Sequence, residues 1–395
     1  MARTIRISRA ENMSLNERFS RFSWPLFAMM CLILLLSIIS LYSAGLPTCG
    51  PDVTASCEGF GGWHPYALSQ MAKMGIGFVL FFIAAFANIK LWLKNSYLIY
   101  FVGLVLVVLV TFVGHTGMGA QRWLNLGFFH IQPSEFIKIA LVMALARYFA
   151  WENSIDLSKF KNYLIPVAML VLPLGLIVVQ PDLGTAVSLG LITIGFFWIV
   201  GAHRKWFIIA GILTVLAAPA VWFGGLHDYQ RERVITFVNP DHDPSGAGYQ
   251  INQSKIAFGS GGLVGKGYLA GTQSHLSFLP ENQTDFIFAM FGEELGFIGG
   301  FVLVLIYSII IGMLFWFAKT SKNRFGQLLC FGFMLNFFVY YFINIAMVLG
   351  LMPTVGVPLP LMSFGGSSLL SLMFGFGLVQ NAHINKDQQL SAKGS

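Results

Sequence analysis

The chain alternates long apolar runs with short polar or Gly/Pro-rich breaks. The runs fall at 24–44, 66–87, 96–114, 133–151, 163–179, 183–200, 206–223, 286–318, 325–350 and 366–383. A helix needs roughly 20 residues to cross the hydrocarbon core of a bilayer, so the pattern predicts an all-α bundle of about ten transmembrane helices. Only Gln180-Pro181-Asp182 separates the fifth run from the sixth. Proline lacks the backbone N–H that a continuous helix needs, which predicts a tight hairpin there. One polar stretch is long. Residues 224–285 are rich in glycine and predict an ordered, functional loop between helices 7 and 8. The expected organisation is a tail at 1–23, a single transmembrane domain at 24–383 and a polar tail at 384–395.

Composition excludes a soluble globule, because 56% of residues are hydrophobic, 10% are charged and the mean hydropathy is +0.71. The first apolar run is too long for the core of a signal peptide and reads as a retained helix. Lys and Arg collect in cytoplasmic loops, and an even number of spans puts both termini on one side. With the termini inside, sixteen of the 24 basic residues are cytoplasmic, and the 224–285 loop is extracytoplasmic. The net charge of +7 is then mostly a consequence of topology and gives no reason to expect a nucleic-acid partner. The remainder, including Arg122, Lys138, Arg231, Arg233, Lys255 and Lys266, falls outside that rule and needs another explanation.

In this topology the even-numbered helices begin at the outer face, where their free N–H groups and positive dipole ends favour anions. Three acids occupy such starts: Glu135 after Gln132-Pro133-Ser134, Asp182 after Gln180-Pro181, and Asp285. Each alone suits helix capping. Three on one side point to a shared cavity. Lys138 follows Glu135 by three residues and shares its helix face, so either a structural ion pair with Glu135 or Asp182, or a role in binding diphosphate, accounts for it. Arg122 beside Trp123 suits phosphate binding, and Trp123 also suits an interfacial anchor.

Asp285 joins the polar loop to a strongly apolar helix. An acid near lipid costs roughly 2.5 to 3.5 kcal/mol on insertion scales, which suggests chemistry, a proton path or a buried ion pair. Glu293 would lie about 12 Å further along a continuous helix, too far for a glycosidase-type carboxylate pair, and Glu294 lies deeper on the opposite face. A lone acid suits a reaction whose leaving group needs no proton. Diphosphate is such a group, which leaves one carboxylate to deprotonate an attacking hydroxyl. The segment Gly259–Gly267 imitates a phosphate-binding P-loop but has Ser260 where the motif needs glycine and Gly267 where it needs Ser or Thr. Asp241, His242 and Asp243 read as a surface turn, and no Cys/His metal cluster is visible. Cys49 and Cys57 share the first outer loop and are candidates for a disulfide in an oxidising compartment.

Arg122-Trp123-Leu-Asn-Leu-Gly, Gln132-Pro-Ser-Glu135-Phe-Ile-Lys138, Gln180-Pro-Asp182-Leu-Gly-Thr, the segment from Gly271-Thr-Gln-Ser to Thr284-Asp285-Phe-Ile-Phe, and Pro358-Leu-Pro-Leu-Met-Ser363-Phe-Gly-Gly-Ser together resemble the SEDS (shape, elongation, division and sporulation) family over nearly the whole chain. The loop run beginning at Gly271 is closer to the family's elongation branch than to its division branch. The resemblance implies a peptidoglycan glycosyltransferase of the bacterial cytoplasmic (inner) membrane. It would polymerise lipid II on the outer face and release undecaprenyl diphosphate, in the service of cell elongation and rod shape. Asp285 corresponds to the family's essential acid and is expected to be the base. Arg122, Trp123 and Lys138 are expected near the substrate diphosphates, with Glu135, Asp182 and Ser363 completing a polar cavity. The implied partners are a class B penicillin-binding protein (transpeptidase), the undecaprenyl-linked glycan, membrane lipids and other membrane proteins of an elongation complex. A divalent cation, Mg, is a candidate cofactor without a legible ligand set. The competing readings are a lipid II flippase or a division-type member of the same family.

Overall fold

The computed structural model describes residues 13–45, 65–117, 120–125, 130–151, 159–239, 242–243, 246–276 and 278–388; Cys49 and Cys57 lie outside the described residues. A short helix α1 (Leu15–Ser20), started by a Ser14–Glu17 capping box, leads into α2 (Trp24–Ala44), α3 (Pro65–Phe86) and α4 (Ile89–Val113). Helix α4 begins earlier than its apolar run. Asn88 caps it, accepting from Lys90 N at 3.0 Å, and long lysine side chains can carry their charge to a membrane surface from the first turns.

Three short strands follow: β1 (His115–Gly117), β2 (Ala120–Asn125) and β3 (His130–Ile131), joined in an antiparallel sheet in the order β1-β2-β3. These strands, of three, six and two residues, are a local addition to the all-α bundle that the apolar runs predict. The segment is too short and too polar to span, so its backbone groups pair across a hairpin. Arg122 and Trp123 therefore lie on a strand. The remaining elements are α5 (Pro133–Trp151), α6 (Leu164–Val179), α7 (Leu183–Val200), α8 (Arg204–Ala220), α9 (Asp228–Val238), α10 (Ala247–Ser260), α11 (Thr272–His275), α12 (Ile287–Thr320), α13 (Arg324–Val348) and α14 (Gly366–Ile384).

All ten apolar runs are helices. Eight of the ten are long and apolar enough to cross a membrane on those criteria alone. The two that fall short, α5 and α14, are the most enclosed: α5 packs against α4 and α13, and α14 against α3 and α13. Surrounded by protein rather than lipid, they tolerate polar groups that a lipid-facing helix would not, including the buried Glu135, Lys138, Ser367, Ser371, Gln380 and Asn381. The architecture is that of a multi-pass membrane protein.

Side-chain contacts define the two ends of the bundle. At one end Asn381 Nδ2 donates to Ala85 O (2.9 Å) and Ala87 O (2.6 Å), Arg18 donates to Phe86 O, and Asp387 pairs with Arg21 and Lys322 at 3.2 Å each. The two ends of the described chain thus lie together. At the other end Ser367 Oγ accepts from Gln132 N (2.8 Å), and the start of α7 packs on Val355. The starts of α5, α7, α12 and α14 therefore converge.

The long loop folds into α9, α10 and α11, and α10 packs along α12. Helix α12 is broken at Gly296, whose φ of +69° and contact with Gly265 N leave no room for a side chain. The imitation P-loop takes over the backbone bonds that the break releases: Lys266 N donates to Glu293 O (3.0 Å), Gly267 N to Glu294 O (3.0 Å) and Phe297 N to Gly262 O (2.9 Å). Its glycines brace a helix.

Candidate active site

Asp285 lies in the turn just before α12, and two neighbouring segments hold its backbone. From α13, Asn344 Nδ2 donates to Asp285 O (2.9 Å) and to Val357 O (2.7 Å), tying the acid to the strap between α13 and α14. From that strap, Ser363 Oγ accepts from Leu359 N (2.8 Å) and donates to Thr284 O (2.5 Å), while Phe364 N donates to Gln283 O (2.9 Å). Gly356, with φ +71°, brings the strap against the carboxylate: a Cβ there would lie 3.4 Å from Asp285 Oδ2. Through these bonds Ser363 positions the segment that carries the acid.

Burial pushes the Asp285 carboxyl up to about 6, with the negative charge of Glu281 adding to the shift and the guanidinium groups of Arg233 and Arg122 opposing it. A carboxylate that releases its proton near neutrality is suited to act as a base. Arg233, on α9, donates to Thr354 O of the strap (3.0 Å) and lies 5.8 Å from the Tyr229 ring centroid. Tyr229 OH donates to Pro181 O (2.6 Å). Arg122, from β2, donates to the same carbonyl and lies 3.7 Å from Asp182. Pro181 thus gathers the strand hairpin and α9 at the start of α7.

Asp182 combines capping with the cavity. It accepts from Thr185 N (3.3 Å) and Thr185 Oγ1 (2.8 Å) at the start of α7, and from Gln132 Nε2 (3.1 Å) at the start of α5. Trp123, next to Arg122 on β2, is half-buried. Lys138 is 1% exposed and lies within the bundle. Its ammonium is 2.7 Å from Glu135 Oε1 and 3.9 Å from the centroid of the Tyr340 ring, and Tyr340 OH donates to the same carboxylate (3.0 Å). The carboxylates of Glu135 and Asp182 are thus occupied by protein donors, and among the described residues no group of three or more His, Cys, Asp or Glu is placed to hold a metal. As placed, Glu135 and Asp182 do not form a ligand set for a resident divalent cation.

Glu293 and Glu294 belong elsewhere. Glu293 accepts from Lys266 Nζ (2.7 Å), Gln273 N (2.9 Å) and Ser274 Oγ (3.0 Å), and Glu294 from Ser43 and His275. The sequence marks Arg233 as an unexplained outer cation but not its place beside Asp285, and it gives Tyr229 and Asn344 no role. The available signal was the spacing of Tyr229 and Arg233, four residues apart, which puts both on one face once 228–238 is a helix rather than a loop.

The fold and site define a multi-pass membrane protein with one desolvated acid between guanidinium groups at the converging ends of four helices. Residues 23–388 match the FtsW/RodA/SpoVE family, described as cell cycle proteins, and the chain belongs to that family. It is 41% identical over 317 residues to the peptidoglycan glycosyltransferase MrdB of Escherichia coli K12, covering 80% of this chain and 85% of that one. It is 35% identical over 356 residues to a probable peptidoglycan glycosyltransferase FtsW of Trichlorobacter lovleyi, covering 89% and 92%. Among solved structures, a chain of a peptidoglycan synthase complex that coordinates polymerization and crosslinking matches with a TM-score of 0.77 and 26% identity, covering 93% of this chain and 99% of that one. The rod shape determining protein RodA of Thermus thermophilus matches with a TM-score of 0.67 and 25% identity, covering 93% and 98%.

Proposed function

We propose that this chain is a peptidoglycan glycosyltransferase of the elongation type, which polymerises lipid II at the outer face of the cytoplasmic membrane. The observation that carries the reading is the desolvated Asp285 carboxyl, with a pKa pushed up to about 6, facing Arg233 and Arg122. Asp285 takes the proton from the acceptor's sugar 4-hydroxyl as that oxygen attacks the anomeric carbon of the donor. The bond from that carbon to the diphosphate oxygen breaks, and undecaprenyl diphosphate leaves as an anion. Arg122 and Arg233 stabilise the charge that develops on it; Asp182 and Gln132 hold Arg122's side of the cavity, and Trp123 anchors the hairpin at the membrane surface. Lys138 acts through Glu135, fixing the start of α5 on which Gln132 sits. A class B penicillin-binding protein is the partner that would crosslink the product.

Purified protein reconstituted in liposomes with lipid II and its penicillin-binding partner tests the proposal. Long glycan strands are expected. Movement of lipid II between leaflets without strand formation would replace this reading by a flippase.

Arg233→Ala is expected to lower kcat/KM for lipid II by about 10- to 100-fold, the loss of a guanidinium–phosphate contact in a desolvated site, with Arg233→Lys recovering part of it. An unchanged rate in a folded Arg233→Ala protein would remove Arg233 from the site.

The pH dependence follows from Asp285. The polymerisation rate should rise as pH passes upward through about 6, where the folded protein's carboxyl ionises. Stability runs the other way. Between the ordinary value of 3.8 and about 6 the unfolded chain has released a proton that the folded chain still holds, so stability declines as pH rises across that window. Rate profiles and thermal melts from pH 4.5 to 8 check both signs.

A further inference from the structure

Lys73 is a cation inside a predicted span that the site described above leaves unused; Arg147, the other, donates to Lys94 O and packs on the Tyr97 ring. It is half-buried on α3, and among the described residues no carboxylate pairs with it. Its ammonium sits 3.7 Å from the centroid of the Phe364 ring, and its aliphatic stem is 3.7 Å from where a Cβ on Gly366 would lie. A charge within a membrane span is costly unless something compensates it, and a ring face offsets only part of that cost.

Its neighbours lie on one face of α3. Tyr66, Gln70 and Lys73 follow the i, i+4, i+7 spacing of a helix face, and all three meet the strap and the first residues of α14. The Tyr66 ring is 5.2 Å from the Phe364 ring, and Gln70 Nε2 donates to Ser363 O (3.2 Å). Gln70 is fully buried, yet its Oε1 has no hydrogen-bond partner. Buried polar atoms are normally satisfied, so a lone amide oxygen beside an unpaired lysine marks a place where a ligand supplies the partner. Helix α14 begins there with Gly365 at its cap and no side chain capping it, leaving its first N–H groups toward the same place.

We infer that Lys73, Gln70 and the first turn of α14 form a second station for a lipid-linked saccharide diphosphate, separate from the one at Arg122 and Arg233. The inference rests on the proposed polymerase reading, in which two such molecules must be held at once, one to be attacked and one to attack. Lys73 and the α14 N–H groups take the phosphates. Gln70, one turn nearer the start of α3, accepts a hydrogen bond from a sugar hydroxyl. The hydrogen bonds from Ser363 Oγ to Thr284 O and from Phe364 N to Gln283 O connect this station directly to the segment that carries Asp285.

The test counts bound undecaprenyl diphosphate on the full-length protein in nanodiscs by native mass spectrometry, beside steady-state polymerisation with lipid II. Wild type and Lys73→Arg are expected to bind two equivalents, and Lys73→Met and Lys73→Gln one. The neutral variants should also raise the apparent KM by about tenfold, with kcat little changed, the size of one lost charge-assisted contact. One equivalent on wild type, two on Lys73→Met, or an unchanged KM would overturn the inference. So would loss of folding in both neutral variants, since that would make Lys73 a structural element. In a wild type that polymerises, such results defeat only this station; a wild type that neither binds undecaprenyl diphosphate nor polymerises defeats the polymerase reading itself.

Discussion

The Asp285→Asn variant is expected to make no glycan strands while still folding and binding the proposed penicillin-binding partner. Removing a positioned general base typically costs about 10²- to 10⁴-fold in rate, which would carry polymerisation below detection in a reconstituted assay. Folding should survive for two reasons. The backbone bonds that hold residue 285, from Asn344 and through Thr284 to Ser363, do not involve the carboxylate. Burial also opposes the charged form of this acid, so a neutral isostere relieves one cost while depriving Arg233 and Arg122 of a counter-charge. The melting temperature at pH 7.5 should therefore stay close to wild type, and the rate rise near pH 6 should vanish from any residual activity. Undiminished strand formation by a folded Asp285→Asn protein would sink the base assignment.

Lys138→Ala should fail in a different way, by loss of folding rather than of turnover. The ammonium is enclosed by Glu135 at 2.7 Å and by the Tyr340 ring, and truncating it leaves a carboxylate buried without its cation. Breaking one partner of such a pair costs about 3 to 5 kcal/mol, a large part of the stability of most domains. The remedy separates charge from chemistry. Lys138→Met with Glu135→Gln removes both charges, keeps an acceptor for Tyr340 OH, and should restore the melting temperature and much of the polymerisation. Thermal melts in detergent with lipid II turnover decide the matter: a Lys138→Ala protein that folds but does not turn over would place Lys138 on the substrate phosphates instead.

The different fates of these residues follow from what a linear reading can detect. The ten helices were legible because hydrophobic length is a local property: a run of apolar residues near 20 long must satisfy its own backbone in lipid, and a helix does so within the segment. Asp285, Glu135 and Asp182 were legible as a group because each stands at the start of such a run. The hairpin carrying Arg122 was not, since its strands are short and depend on each other for pairing. The Gly259–Gly267 segment was equally opaque; its glycines answer to a break at Gly296 in a helix that follows it in sequence.

By itself, then, the sequence determined a membrane bundle, the end at which its acids gather and the isolation of Asp285 from Glu293 and Glu294. Only the tertiary structure decided which cation meets which acid: Lys138 closes on Glu135 within the bundle, whereas Arg233 comes from α9 to face Asp285. The reason is physical. Helix formation depends on neighbours along the chain, while the field at a carboxylate depends on which helix ends converge in space, and α9, the strap and the start of α7 meet only when the whole bundle has packed.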